Sequence, residues 1–104
     1  MQYKTDIELS NIEGFDWDKG NLHKNRLKHQ VEPTECEEVF FNEQQIVADD
    51  KLHSQREKRY SILGQTIKGR KLNIIFTLRN NKIRVISARA QNKRERILFE
   101  AENK

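Results

Sequence analysis

The sequence predicts a single α+β domain: two N-terminal helices, an antiparallel meander of three or four strands, and a C-terminal helix. Three observations carry this. Alternation with a period of two is concentrated between residues 58 and 86, as a half-buried sheet requires. Helix-start signals lie before that stretch, and a segment without Gly or Pro follows it. The two most strand-like runs are separated only by Asn80-Asn81, a pair that tolerates the positive φ of a tight hairpin.

Taken in order, residues 1–13 alternate weakly, with Ile7 and Leu9 set against Asp6 and Glu8, and are expected to form an N-terminal extension or an edge strand. The domain proper is assigned to 14–104. Gly14-Phe15-Asp16-Trp17 is aromatic enough for a short strand, and Asp16 or Asp18 then offers a carboxylate cap to a helix reaching about His29. Glu32-Pro33-Thr34-Glu35 opens a second helix, with Pro in its first turn and acids where the helix dipole favours them. Its Cys36, Val39 and Phe40 are expected to face the core. Ile46-Val47-Ala48 reads as a short strand and Lys58 to Gly64 as the next, with Tyr60 and Ile62 opposite Arg59, Ser61 and Leu63. Leu72 to Arg79 is the most strand-like run. Lys82-Ile83-Arg84-Val85-Ile86 follows the turn, and Ser87, Ala88 and Arg89 are read as its junction with a basic helix whose Ile97, Leu98 and Ala101 share one stripe.

Composition narrows the function. Apolar and charged residues each make up 35% of the 104 residues, so the core is thin and the surface heavily charged. No apolar run approaches the ~20 residues needed to span a bilayer, and the N-terminus has no secretory apolar region. A cytoplasmic protein is expected, with no membrane partner. The single Cys36 excludes an internal disulfide and lacks the neighbours of a zinc site; no metal or cofactor is expected. Residues 1–52 carry 6 Lys/Arg against 12 Asp/Glu, a balance of −6, whereas 53–104 carry 14 against 4, a balance of +10. A basic half attracts polyanions, nucleic acid foremost, by releasing condensed counterions. The alternative is a solvated face that serves solubility.

The landmarks Phe15-x-Trp17-Asp18, Asn25-x-x-Lys28-His29-x-Val31, Glu38-Val39-Phe40, His53-Ser54-x-x-Glu57-x-Arg59, Ile62-x-Gly64, Gly69-Arg70, Thr77-x-Arg79 and Arg84-x-Ile86-Ser87-Ala88-Arg89 fall in one order over about residues 14 to 99. In that order they resemble the BrnT family of bacterial type II toxin-antitoxin systems. The resemblance implies a RelE-like ribonuclease fold, metal-independent RNA cleavage that inhibits translation, and neutralisation by a BrnA-type antitoxin with a ribbon-helix-helix DNA-binding domain. A hetero-oligomer that binds operator DNA through the antitoxin is implied with it. Among the departures, Gln30 stands where the family usually has Gly after Lys-His, and Phe99 where it usually has Tyr.

RNA is cut without a metal when its own 2′-OH attacks the adjacent phosphorus, which needs a base, cations for the developing charge and an acid for the leaving 5′-oxygen. His53 and Glu57 are the conventional proton carriers of the basic half, although a loop histidine held by Asp49 or Asp50, and a carboxylate paired with Arg59 or Arg84, are their structural alternatives. Arg79, Arg84 and Arg89 are expected to gather on one surface, where the planar guanidinium suits phosphate; Arg84 equally suits a bridge to carboxylates. Ser87 caps the helix or touches phosphate. Arg59, Arg70, Lys93 and Arg94 are assigned to RNA contact, and Tyr60 either stacks on a base or joins the core. A noncatalytic module that binds nucleic acid or antitoxin, acting as transcriptional co-repressor, is the alternative to the enzyme.

Overall fold

Residues 11–22, 29–50 and 56–102 are described in the structure, a computed structural model. The strands are β1 (Gly14–Phe15), β2 (Gln45–Asp49), β3 (Arg59–Gln65), β4 (Lys71–Arg79) and β5 (Lys82–Ala90); the helices are α1 (Pro33–Phe41) and α2 (Lys93–Glu102). Residues 19–22 are also helical. The sheet order is β1-β5-β4-β3-β2. β2 to β5 form the expected antiparallel meander, and β1 adds a parallel edge strand beside β5. Of the expected extension or edge strand over residues 1–13, residues 1–10 lie outside the described residues.

Local chemistry accounts for the element boundaries. Asp18 caps the helical turn that follows it: Asn21 N donates to its Oδ1 at 3.0 Å, and Asp18 N donates to Asn21 Oδ1 at 2.7 Å. The buried Asn21 amide also donates to the carbonyls of Asp16 and Val85, tying this turn to β5. Pro33 begins α1, and Glu35 reaches back to accept Glu32 N at 3.0 Å. Between β4 and β5, Asn80 and Asn81 have φ of 53° and 63°, the paired positive values of a type I′ turn. Gln30 also lies in the left-handed region with φ 54°.

One face of the sheet packs against α1. Cys36 and Val39 meet Tyr60, Ile62, Leu72, Ile74, Phe76, Ile83, Val85 and Ala88 there, with Phe40 alongside. Burial pushes the Cys36 thiol up to about 12, so it is a neutral core group. Gly64 permits the close approach of α1, since a Cβ on it would lie 2.6 Å from Val39 Cγ1. On the opposite face, α2 lies over β2 and β3 through Phe99 and Leu98, which pack on Ile46 and Leu63. Among the described residues no helix is long and apolar enough to cross a membrane.

Three expectations are corrected. Strand β5 does not end at Ile86; it runs through Ser87, Ala88 and Arg89 to Ala90, because pairing with β4 continues to Leu72. Ser87 is therefore not a helix cap. Asn92 takes that place: its Oδ1 accepts Glu95 N at 2.8 Å, and Glu95 Oε1 accepts Asn92 N at 2.9 Å. Second, alternation in β5 is interrupted. Ile75 pairs with Ser87 but Phe76 with Val85, so Ile86 is the extra residue of a β-bulge. The bulge reverses parity and puts Arg84, Ser87 and Arg89 on the same face. Third, α2 is anchored by Phe99, 2% exposed, while Ile97 is 59% exposed.

A candidate active site and nucleic-acid interface

The face opposite α1 is organised in rows set by strand register. Arg59, Thr77 and Arg84 form the first row, Ser61, Ile75 and Ser87 the second, and Leu63, Asn73 and Arg89 the third. Arg79, paired with Lys82, stands beyond the first row beside the hairpin. Two strand residues span about 6.8 Å, so the first and third rows are roughly 13–14 Å apart along the strands.

The first-row end holds a cluster of guanidinium groups and carboxylates. Arg79 grips Glu57 with two bonds, Nη2 to Oε1 at 3.0 Å and Nε to Oε2 at 3.3 Å. The hydrogen bond from Arg79 holds the Glu57 carboxyl below the usual carboxylate range, and the charges of Arg79, Arg59 and Arg84 act in the same direction. Arg84 is held from the other side: its Nη2 lies 2.7 Å from Asp18 Oδ2 and its Nη1 3.6 Å from Asp16 Oδ1. Asp18 is likewise lowered, first by the backbone N–H of Asn21 and then by Arg84. Thr77 completes the row by donating to the Lys58 carbonyl at 2.7 Å.

The third-row end is closed by α2. Arg89 donates from Nη1 and Nη2 to the two oxygens of Glu95 at 2.7 and 3.0 Å. Asn73 Nδ2 donates to Glu95 as well, and Ser61 Oγ donates to Asn73 Oδ1 at 3.2 Å. Burial pushes Glu95 up, but hydrogen bonds from Arg89, Asn92 and Asn73 outweigh it, and its carboxyl sits below the ordinary range. Between this end of the sheet and α2 lies an open pocket of about 600 Å³, lined by Ile46, Ala48, Leu63, Ile97 and Leu98 with Ser61 and Asn73 among them.

The structure thus brings Glu57, Arg59, Arg79 and Arg84 together and sets Arg89 apart, with Ser87 on the row between. His53 lies outside the described residues. Tyr60 takes the core alternative: it is 7% exposed, and its ring stacks on Phe76 at 5.5 Å, which withdraws it from base stacking. Arg70 is occupied within the chain. Its guanidinium holds Glu35 at 3.1 Å and the carbonyls of His29 and Gln30, locking α1 to the chain before it. Lys93 and Arg94 are exposed in the first turn of α2.

Sequence reasoning missed four groups. The sequence offers Asp16 and Asp18 only as caps, and their pairing with Arg84 follows from β1 lying beside β5. Glu95 and Asn73 were not singled out. Asn92-Lys93-Arg94-Glu95 did carry a signal, an N-cap residue followed three positions later by Glu, which marks a helix start.

A family model described as the ribonuclease toxin BrnT of type II toxin-antitoxin systems matches residues 17–95. The matched span begins at the loop that supplies Asp18 and ends at Glu95, so every row described above falls within it. A comparison with individually curated proteins gives no match. With three quarters of its length inside that match and an α+β fold to carry it, the chain belongs to the BrnT family of ribonuclease toxins from type II toxin-antitoxin systems.

Proposed function

We propose that this chain is a cytoplasmic endoribonuclease that cuts RNA by 2′-OH attack, without a metal ion, at the Glu57–Arg79–Arg84 end of the sheet, and thereby inhibits translation. The observation that carries the reading is the two-bonded Glu57–Arg79 pair with Arg84 and Arg59 close enough to bear on the same carboxylate. In the reaction a base removes the 2′-OH proton, the 2′-oxygen bonds to phosphorus, and the bond to the 5′-oxygen breaks as an acid protonates it. The products are a 2′,3′-cyclic phosphate and a 5′-hydroxyl. Arg79 and Arg84 are the groups for the equatorial oxygens, since their forks match phosphate geometry and stay charged.

The carboxylates already on these arginines give the site a resting state. A phosphate arriving at Arg79 competes with Glu57, and loss of that hydrogen bond raises the Glu57 pKa toward the ordinary value. Glu57 then accepts a proton more readily than it does in the pair. His53 is assigned the complementary proton transfer. An antitoxin is the partner that a type II toxin implies; we take it to be BrnA-type, with a ribbon-helix-helix domain that carries the complex to operator DNA.

The test is cleavage of a purified RNA in excess EDTA, with and without translating ribosomes. Wild type is compared with Glu57→Gln, His53→Ala and Arg79→Ala. Cleavage should survive EDTA and fall about 100- to 1000-fold in Arg79→Ala, the usual cost of one transition-state donor. RNA binding without cleavage in either setting would leave the noncatalytic co-repressor as the reading.

A further inference from the structure

We propose that the pocket between α2 and the third-row end of the sheet is a nucleobase subsite, which takes one base of the RNA next to the bond being cut. This rests on the reading that the same sheet face binds RNA, and it adds the group that selects where the RNA is cut. The pocket of about 600 Å³ falls within the range of ligand sites, roughly 300–1,000 Å³, and is roomy for a single purine. Ile46, Ala48 and Leu63 make its sheet wall, and Ile97 and Leu98 the wall on α2. Leu98 itself packs on Ile46 and Leu63, and the open part of this aliphatic lining suits one face of a planar base. Ile97 lines the pocket and is 59% exposed, so its side chain is open to such an occupant.

The polar part of the lining favours a base over an apolar protein side chain. Ser61 and Asn73 belong to one hydrogen-bonded chain that continues through Glu95 to Arg89. An aliphatic group would cover this chain and give it nothing in return, whereas the edge of a base offers donors and acceptors to the hydroxyl and the amide. Arg94 at the rim adds positive charge where a ribose-phosphate would enter. Position agrees as well. Ser61 stands one row from Arg59 and Arg84, about 6.8 Å along the strands, a span that a ribose bridges between its base and its phosphate.

The test reads base selectivity and base binding separately. Cleavage sites are mapped on a mixed-sequence RNA for wild type, Ala48→Phe, which fills the pocket, and Ser61→Ala, which removes the hydroxyl without adding bulk. In parallel, methyl NMR of the wild-type protein follows Ile46 and Leu98 during titration with the four nucleoside 5′-monophosphates. The proposal expects a favoured base at a fixed position beside the cut, a ratio of favoured to disfavoured cleavage that falls at least tenfold in Ala48→Phe and severalfold in Ser61→Ala, and methyl shifts largest with the matching nucleotide. Should Ala48→Phe fail to fold, Ser61→Ala and the titration decide. Cleavage with an unchanged base preference in both variants and unmoved methyls overturns the subsite alone, and loss of antitoxin binding in Ala48→Phe would then assign the pocket to a protein side chain. Absence of any cleavage refutes the enzyme reading instead, while nucleotide-induced methyl shifts would still uphold the pocket.

Discussion

The two ends of one sheet face use the same chemistry to opposite effect. At the first-row end, Arg79 and Arg84 are held by Glu57, Asp16 and Asp18, carboxylates supplied by loops. At the third-row end, Arg89 is held by Glu95, which is built into the first turn of α2 and also fixed by Asn73 and Asn92. Exposure of the carboxylates follows this division, with the Glu57 side chain 33% and Asp18 51% exposed against 19% for Glu95; the arginines do not follow it, Arg84 being 17% exposed and Arg89 39%. A carboxylate on an accessible loop is displaced by an incoming phosphate at little cost. One held by Asn73 and Asn92 as well as Arg89, and tethered to a packed helix, is not. The difference teaches that a cluster of arginines is not uniformly available to a ligand, and that the element supplying the counter-charge decides which member is.

Substitutions at matched positions give the sharpest break between the two ends. Arg79→Ala should have the largest effect on activity, a loss of about 100- to 1000-fold in RNA cleavage, while thermal unfolding stays close to wild type, as accessible ion pairs contribute little to stability. Arg89→Ala should do the reverse. It removes two of the hydrogen bonds to Glu95 and its only paired cation among the described residues, and loosens α2, costing about 1–2 kcal/mol, read as a lower midpoint in urea. Equal activity losses with no stability difference between the two variants would erase the distinction.

A stability change of similar or greater size is expected on the α1 face, where Gly64→Ala drives a methyl into Val39 and should cost about 1–3 kcal/mol; it serves as the reference for damage unrelated to either end. Acidity separates the ends more gently. The folded state holds Glu95 and Glu57 below the ordinary carboxylate pKa, so their contribution is present above that range and is lost as pH falls through it and below. Stability should therefore decline on acidification, and Glu95→Gln should flatten the decline more than Glu57→Gln does, because the Glu95 contacts are less exposed to solvent. The smallest effect belongs to Gln30→Gly, which relieves a left-handed residue (φ 54°) and should stabilise by at most about 1 kcal/mol.

Much of what depended on near neighbours in the chain was legible before the structure, the Asn92 cap of α2 being an exception. The Asn80-Asn81 turn, the Pro33 start of α1, the core positions of Cys36 and Val39, and the β4 run all carry their own local signals, and all appear as expected. The bulge at Ile86 was not legible, because it is defined by pairing with Ile75 and Phe76 rather than by anything in β5. That one inserted residue decides that Arg84 and Arg89 share a face. The partners of the arginines were hidden for the same reason: Glu57 meets Arg79, and Asp18 meets Arg84, only once the register is set. Gln30 lies between these cases, since the resemblance led to an expected glycine there while the positive φ that makes it matter was not legible.

The most direct test of the central claim, that the first-row end cuts RNA through its own 2′-OH, is mass spectrometry of the fragments made from a short RNA and from the same RNA carrying a single 2′-deoxy at the cut. The account predicts 2′,3′-cyclic phosphate and 5′-hydroxyl ends from the first substrate and no cut at that position in the second. Fragments ending in 3′-hydroxyl and 5′-phosphate, or undiminished cleavage at the 2′-deoxy position, would contradict it.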